Sequence, residues 1–428
     1  MLYLKDWYIE LLETGCKIII LKKLLVIGHT FPEPSTTAAG SRMMQMLKLF
    51  LEDEYHITFA STAAVSEKSE DLEYHFIQTV SIQLNDSSFD DFILKLNPSV
   101  VLFDRYITEE QFGWRVSEHC SNALKILDTE DLHFLRKARE KAYKSDDEIN
   151  LVSETAKREI ASIYRCDVSL IISEFEMELL QDYFKINEKL LFYLPFLEEP
   201  ISEEKMKTSS TFEERSGFMT IGNLLHAPNI DSVKYLKKEI WTLIRKQMPN
   251  AILTVHGNYA TQQIQELHNE KEGFLIKGWA ENVEDVMSSA KICLAPLRFG
   301  AGLKGKLLDA MKYGTPSVTT SIGAEGMHGK MNFSGIVSDD AESFANAAVQ
   351  LYTSEEKWNE AQRNGFQIVN QRFQKSIFQQ SFLSKISETK ENLEANRSSN
   401  FIGQMLQHHS MKSTQYMSKW IEEKNKKN

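Results

Sequence analysis

Cysteine is scarce in this sequence: Cys16, Cys120, Cys166 and Cys293 are scattered through 428 residues, and no two stand at CxxC or metal-finger spacing. A disulfide frame and a structural zinc site are therefore excluded, and a reducing cytoplasm is the expected setting. No apolar run reaches the roughly 18 residues that a membrane span needs. Asp6, Glu10 and Glu13 interrupt the mildly apolar N-terminal stretch, which rules out a secretory h-region. Basic excess is missing too. Lys and Arg number 49 against 60 Asp and Glu, a formal charge of -11, and this excludes a general nucleic-acid binder, because phosphate backbones reward a basic surface. Any anion this chain binds must be met locally.

What is present is material for two cores. Apolar residues make up 42% and charged residues 25%, and the length suits two domains of roughly 150 to 200 residues. A natural beginning stands at "KKLLVIGHTF", so residues 1–23 read as an N-terminal extension, either an appended helix or the product of a misplaced start. From Leu24, short β-rich runs ("LLVIG", "HITFA", "YHFI", "SVVLF", "LKILD", "VSLIIS") alternate with helical patterns. That alternation predicts an α/β fold with a doubly wound parallel sheet. The polar, aperiodic stretch 198–211 reads as a linker, after which "FMTIG", "AILTVHG", "FLIKG", "KICLAP", "PSVTT" and "SGIVS" restart the pattern. The expected units are a Rossmann-like domain at 24–205, a second at 212–365, a helix at 366–390 and a loosely held polar tail at 391–428. In the second domain Asn229 is a plausible N-cap for a helix with Val233, Leu236, Ile240, Leu243 and Ile244 on one face.

In such sheets ligands bind at the carboxyl ends of the strands, and between two domains the cleft joins both rims. "RFGAGLKGKLLDAMKYGTPSVTT" (298–320) lies at one rim. It places Lys304 and Lys306 in the first turn of a helix, where positive charge opposes the helix dipole by about 0.3–1 kcal/mol each unless an anion compensates. Gly300, Gly302 and Gly305 leave backbone N–H groups approachable, and the combination predicts a diphosphate site. Gly222 and His226 follow one strand end and Trp279 another, with an aromatic face that could stack on a base. At the opposite rim stand Gly40 and Arg42, the pair Asp104 and Arg105, and Asp128 with Glu130, Asp131 and His133 close behind. Asp128 or His133 is the candidate for orienting an acceptor hydroxyl.

In order and spacing, "NLLHAPNIDSVKYL" (223–236), "GWAENVEDVMSSAKICLAPLRFGAGLKGKLLDAMKYGTPSVTTSIGAEGM" (278–327) and "DTEDLHFLR" (128–136) resemble the retaining glycosyltransferases of family 4, which have the GT-B fold. The resemblance covers about residues 24–370 and is most specific at 296–327. It implies transfer of a sugar from a UDP- or GDP-sugar donor to a glycan, lipid-linked or other acceptor, with no cofactor and no metal. By similarity Gly302, Leu303, Lys304 and Gly305 hold the diphosphate, with Lys304 also stabilising the leaving group. Asp309 replaces the family's second glutamate, which accepts hydrogen bonds from the ribose. The family's first glutamate, eight positions earlier, is Ala301 here; Glu325 is a candidate substitute for its contact with the donor sugar. Gly40 and Arg42 match a loop near the phosphates and acceptor. Peripheral contact with the inner face of a membrane stays open, since acceptors in this family are often lipid-linked. Three rivals remain: a metal-dependent GT-A enzyme, a sugar-nucleotide epimerase of the same shape, and a binding module without activity.

Overall fold

The computed structural model describes residues 22–426; the extension up to residue 21, with Cys16, lies outside the described residues. Seven strands form the first sheet: β1 (Lys23–Gly28), β2 (His56–Ser61), β3 (Gln78–Ser81), β4 (Val100–Asp104), β5 (Leu124–Asp128), β6 (Val168–Ile171) and β7 (Leu191–Tyr193). They lie in the order β3-β2-β1-β4-β5-β6-β7, and every pairing is parallel. A second parallel sheet contains β8 (Ser216–Ile221), β9 (Leu253–His256), β10 (Phe274–Gly278), β11 (Ala290–Ala295), β12 (Ser317–Thr319) and β13 (Gly335–Val337), in the order β10-β9-β8-β11-β12-β13. This is the GT-B architecture.

Period-two alternation explains why these runs are almost continuously apolar. Leu24, Val26, Leu102, Ile126 and Leu170 face one helical layer, while Leu25, Ile27, Val101, Phe103, Leu127 and Ile171 face the other. A strand covered on both faces has no polar side to present. "YHFI" departs from the expectation: β3 begins at Gln78, one residue after it, and Tyr74 and Phe76 are exposed.

Two further expectations need correcting. The helix of the second domain spans Ala227–Tyr235 with His226 at its N-cap, so Asn229 lies inside it. Asn229 instead donates to the Asn223 carbonyl at 3.0 Å. Nor is the C-terminal tail loosely held. After the helix Lys375–Glu391 brings Phe382 and Ile386 into the core of the first domain, helices Leu393–Ser399, Phe401–Leu406 and Lys412–Asn425 pack across that domain. Their polar residues meet buried charges: Arg397 binds Asp167 through Nε and Nη2, each at 2.7 Å, and Glu422 pairs with the buried Arg115. Composition had suggested solvent where the fold supplies partners.

Candidate active site

The carboxyl ends of the two sheets face each other across a cleft of about 740 Å³. Gly40, Asp104, Arg105, Glu130 and His133 line it from the first domain; Gly222, His226, Trp279, Gly300, Ala301, Gly302, Leu303, Lys304, Gly305, Lys306 and Asp309 line it from the second.

On the second-domain side the helix begins at Gly305, so Lys304 is its N-cap and not part of its first turn. The Lys304 ammonium folds back on its own loop, donating to the carbonyls of Gly302 at 2.5 Å and Ala301 at 3.3 Å. Lys306 donates to Asn229 Oδ1 at 2.8 Å. Burial lowers both lysine pKa values, that of Lys306 to about 8. The backbone N–H groups of Gly305 and Lys306 open the helix and have no acceptor among the described residues, which is the arrangement that attracts an anionic group. One turn on, burial and then Glu198 push Asp309 up to about 7.

Two glycines here answer to the opposite domain as well as to any ligand. Gly302 has φ +61, and a Cβ there would lie 2.9 Å from Asp131 Cβ; at Gly305 it would lie 2.6 Å from Ala38 Cβ. A side chain at either would push the domains apart. A Cβ at Gly300 would meet nothing closer than 3.6 Å.

On the first-domain side, Asp104 Oδ2 accepts from the His29 N–H at 2.9 Å and from Arg105 at 3.2 Å. Arg105 and Glu130 have φ of +71 and +60, a backbone region that side-chain-bearing residues rarely adopt and that gathers at functional sites. Glu130 is 8% exposed, and its carboxyl group has no hydrogen bond or ion pair within the described residues. Burial, reinforced by Asp128, raises its pKa well above the ordinary glutamate value. Asp104, Asp128 and Glu130 each bring a carboxylate oxygen within 4.8 Å of the others, with Arg42 and Arg105 among them. Burial opposes ionisation of Asp131, but Arg136 and His133 outweigh it and hold its pKa low. Burial takes His133 to about 4 even with Asp131 at 3.3 Å. It takes His226 to about 4 as well, helped by the charge of Arg136.

Three expected site residues stand elsewhere. Asp128 and Arg42 do not line the cleft: they pair with each other beneath it at 2.9 Å, exposed by 0% and 1%. Arg42 also donates to the carbonyls of Leu194 and Pro195, so the pair ties the first helix to β5 and to the turn after β7. Glu325 is held by both terminal nitrogens of Arg139, at 2.8 and 2.7 Å. Since Arg139 also donates to the Gly300 carbonyl, this pair shapes the glycine loop from outside. Ala301, at the position of the missing acid, packs with the apolar cluster of the first domain. Trp279 reaches the cleft, but Lys68 covers one ring face, 3.3 Å from the centroid.

Sequence reasoning missed Glu176. The pair Ser173 and Glu176 has capping-box spacing, and Ser173 does cap the helix Glu174–Glu178. Its Glu176 partner, however, spans the domains, with Oε1 accepting from the Leu132 and Gly302 N–H groups at 2.9 Å each. Burial and Asp131 push this carboxyl up to about 7.

Comparison with known proteins bears on the fold and on the second domain. Residues 215–354 match the family model "Glycosyl transferases group 1". The matched residues include those that build most of the second-domain side of the cleft. A Klebsiella pneumoniae relative, described as an uncharacterized 44.6 kDa protein in the cps region, is 25% identical over 172 residues, 38% of this chain. The match spans less than half of that relative, 44% of its length. Among solved structures, sucrose-phosphate synthase from Thermosynechococcus elongatus superposes with a TM-score of 0.65 at 14% identity, over 87% of this chain and 99% of that one. HepE from Anabaena, in complex with UDP and glucose, gives 0.63 at 12% identity over 86% and 100%. At these identities the structural likeness speaks for the fold alone. No helix among the described residues is long and apolar enough to cross a membrane.

Proposed function

We propose that this protein is a retaining glycosyltransferase of family 4, moving a sugar from a UDP- or GDP-sugar to a glycan or lipid-linked acceptor without a metal. The observation that carries this reading is the cleft's polarity: free helix-terminal N–H groups and two buried ammonium groups on one rim face buried carboxyl groups on the other. As the bond to the donor phosphate breaks, negative charge grows on the leaving diphosphate, and preorganised N–H groups with Lys304 and Lys306 stabilise it there. In this reading Asp309, which lines the cleft, accepts hydrogen bonds from the ribose hydroxyls. Glu130, unpartnered and with burial disfavouring its ionised form, is the carboxyl free to hydrogen-bond an acceptor hydroxyl, while His133, its pKa lowered to about 4, stays neutral and can accept one. In front-face attack the leaving phosphate takes the acceptor's proton, so no strong base is required of the protein. HepE was crystallised in complex with UDP and glucose, and a Staphylococcus aureus TarM structure was obtained with UDP and α-GlcNAc-glycerol; both support a nucleotide-sugar donor here. Cytoplasmic placement with peripheral membrane contact belongs to the same reading.

The test is a panel of UDP-, GDP- and dTDP-sugars scored by thermal shift, followed by nucleotide release with acceptor mixtures in EDTA. Tm should rise with one nucleotide class, Lys304→Ala should abolish that rise while leaving the unliganded Tm nearly unchanged, and EDTA should not slow release. Equal affinity of wild type and Lys304→Ala for the nucleotide would overturn the donor assignment. EDTA-sensitive transfer would overturn metal independence.

A further inference from the structure

Behind the first domain, away from the cleft, lies a second cavity of about 160 Å³, walled on one side by Ser117, Lys125 and Arg165 and on the other by Arg397 and Gln407 of the C-terminal segment. Lys125 is 4% exposed. Its ammonium has one hydrogen-bond partner, Ser117 Oγ at 3.2 Å, and no carboxylate within ion-pair distance among the described residues. The nearby acids are committed: Arg397 holds both oxygens of Asp167, and Arg165 holds both oxygens of Glu109. With those pairs neutralised, Lys125 leaves the cavity one positive charge in excess. Burial lowers the pKa of Lys125. A buried charge without a counter-ion costs several kcal/mol, so the arrangement lacks a partner.

We infer that this cavity is a binding site for a small inorganic oxyanion of phosphate size, held by Lys125 with Ser117 and lying between the first domain and the C-terminal helices. The space is several times the ~30 Å³ share of one water, enough for a tetrahedral anion with solvent. The amide groups around it each give an N–H to backbone, Gln407 to the Arg165 carbonyl, Asn400 to that of Tyr164 and Gln404 to that of Arg397. The charge of Lys125 and the hydroxyl groups of Ser117 and Ser121 are further groups able to recognise a ligand. An anion there would brace the segment 393–411 against β5 and the helices beside it.

Full-length protein should be titrated with inorganic phosphate against chloride at matched ionic strength, in a Lys304→Ala/Lys306→Ala background that disables the cleft's own ammonium groups. At tenfold excess over Kd, Tm should rise by about 3–6 °C, and the ³¹P resonance of phosphate should broaden. Lys125→Met and, as a second neutral variant, Lys125→Gln should lose both effects while melting in phosphate-free buffer no lower than the background. Absence of both effects in the background protein, or their survival in a folded Lys125 variant, overturns the site. Because the readout is the loss on substituting Lys125, which lies outside the cleft, either outcome leaves the proposed transferase reading untouched.

Discussion

Asp128→Ala separates the structure's account of the first domain from the expectation that this residue handles the acceptor. Asp128 Oδ1 accepts from Arg42 Nε at 3.2 Å and Nη2 at 2.9 Å, and both side chains are almost entirely buried. Deleting the carboxylate leaves the guanidinium with only the Leu194 and Pro195 carbonyls, at 2.6 and 3.1 Å. Removing one member of a buried ion pair costs about 3–5 kcal/mol, because the surviving charge can neither be hydrated nor matched. For a domain of this size each kcal/mol moves Tm by about 2–4 °C, so a fall of about 6–20 °C is expected. The double variant Arg42→Met/Asp128→Leu should recover most of that loss, since an apolar pair of similar volume is often as stable as the ion pair it replaces. Thermal melts followed by circular dichroism, with urea titrations to separate the domains, give the measurement. If Asp128→Ala melts within about 2 °C of wild type yet loses sugar transfer, the residue acts on substrate and the buried-pair account is wrong.

Lys306→Ala should weaken nucleoside diphosphate binding by about 10- to 100-fold, the worth of one charge-assisted hydrogen bond, as read by calorimetry; an unchanged Kd refutes a phosphate contact. Gly302→Ala should cost at least about 1–2 kcal/mol of stability from its left-handed backbone alone, with the Asp131 clash added, whereas Gly300→Ala should stay within about 0.5 kcal/mol; equal melts for the two would contradict the interdomain contact. Glu176 titrates near 7 when folded against an ordinary 4.5, so the folded chain binds more protons than the unfolded one and stability falls as pH rises from about 4.5 through about 7. Glu176→Gln should therefore gain unfolding free energy relative to wild type across that window, by on the order of 3 kcal/mol at its upper end; a difference constant with pH removes the assignment.

What the sequence disclosed and what it hid divide along sequence separation. Strand runs such as "SVVLF" and "KICLAP" are legible because alternation between two apolar layers is written in consecutive residues, and the strand ends locate the rims. The glycine-lysine loop is legible as a helix start for the same reason: glycines and lysines within eight positions mark it without reference to the rest of the chain, and the helix begins at Gly305 on the cleft rim. Asp128 misleads because one residue of depth decides its role. As the last residue of β5 it sits below the rim, where Arg42, 86 positions earlier, reaches it, while Glu130 two residues on enters the cleft. Glu325 and Glu176 misled or went unseen because their partners, Arg139 and the Gly302 N–H, lie 186 and 126 positions away on the other domain. The glycines read in sequence as an opening for phosphate, and only the positions of Asp131 and Ala38 reveal the close approach of two domains at Gly302 and Gly305. A polar tail likewise reads as solvated until Asp167 and Arg115 are known to wait beneath it. Long-range charge pairing thus sets the orientation of the domains and the shape of the cleft floor, and local pattern sets the chemistry presented at its rim.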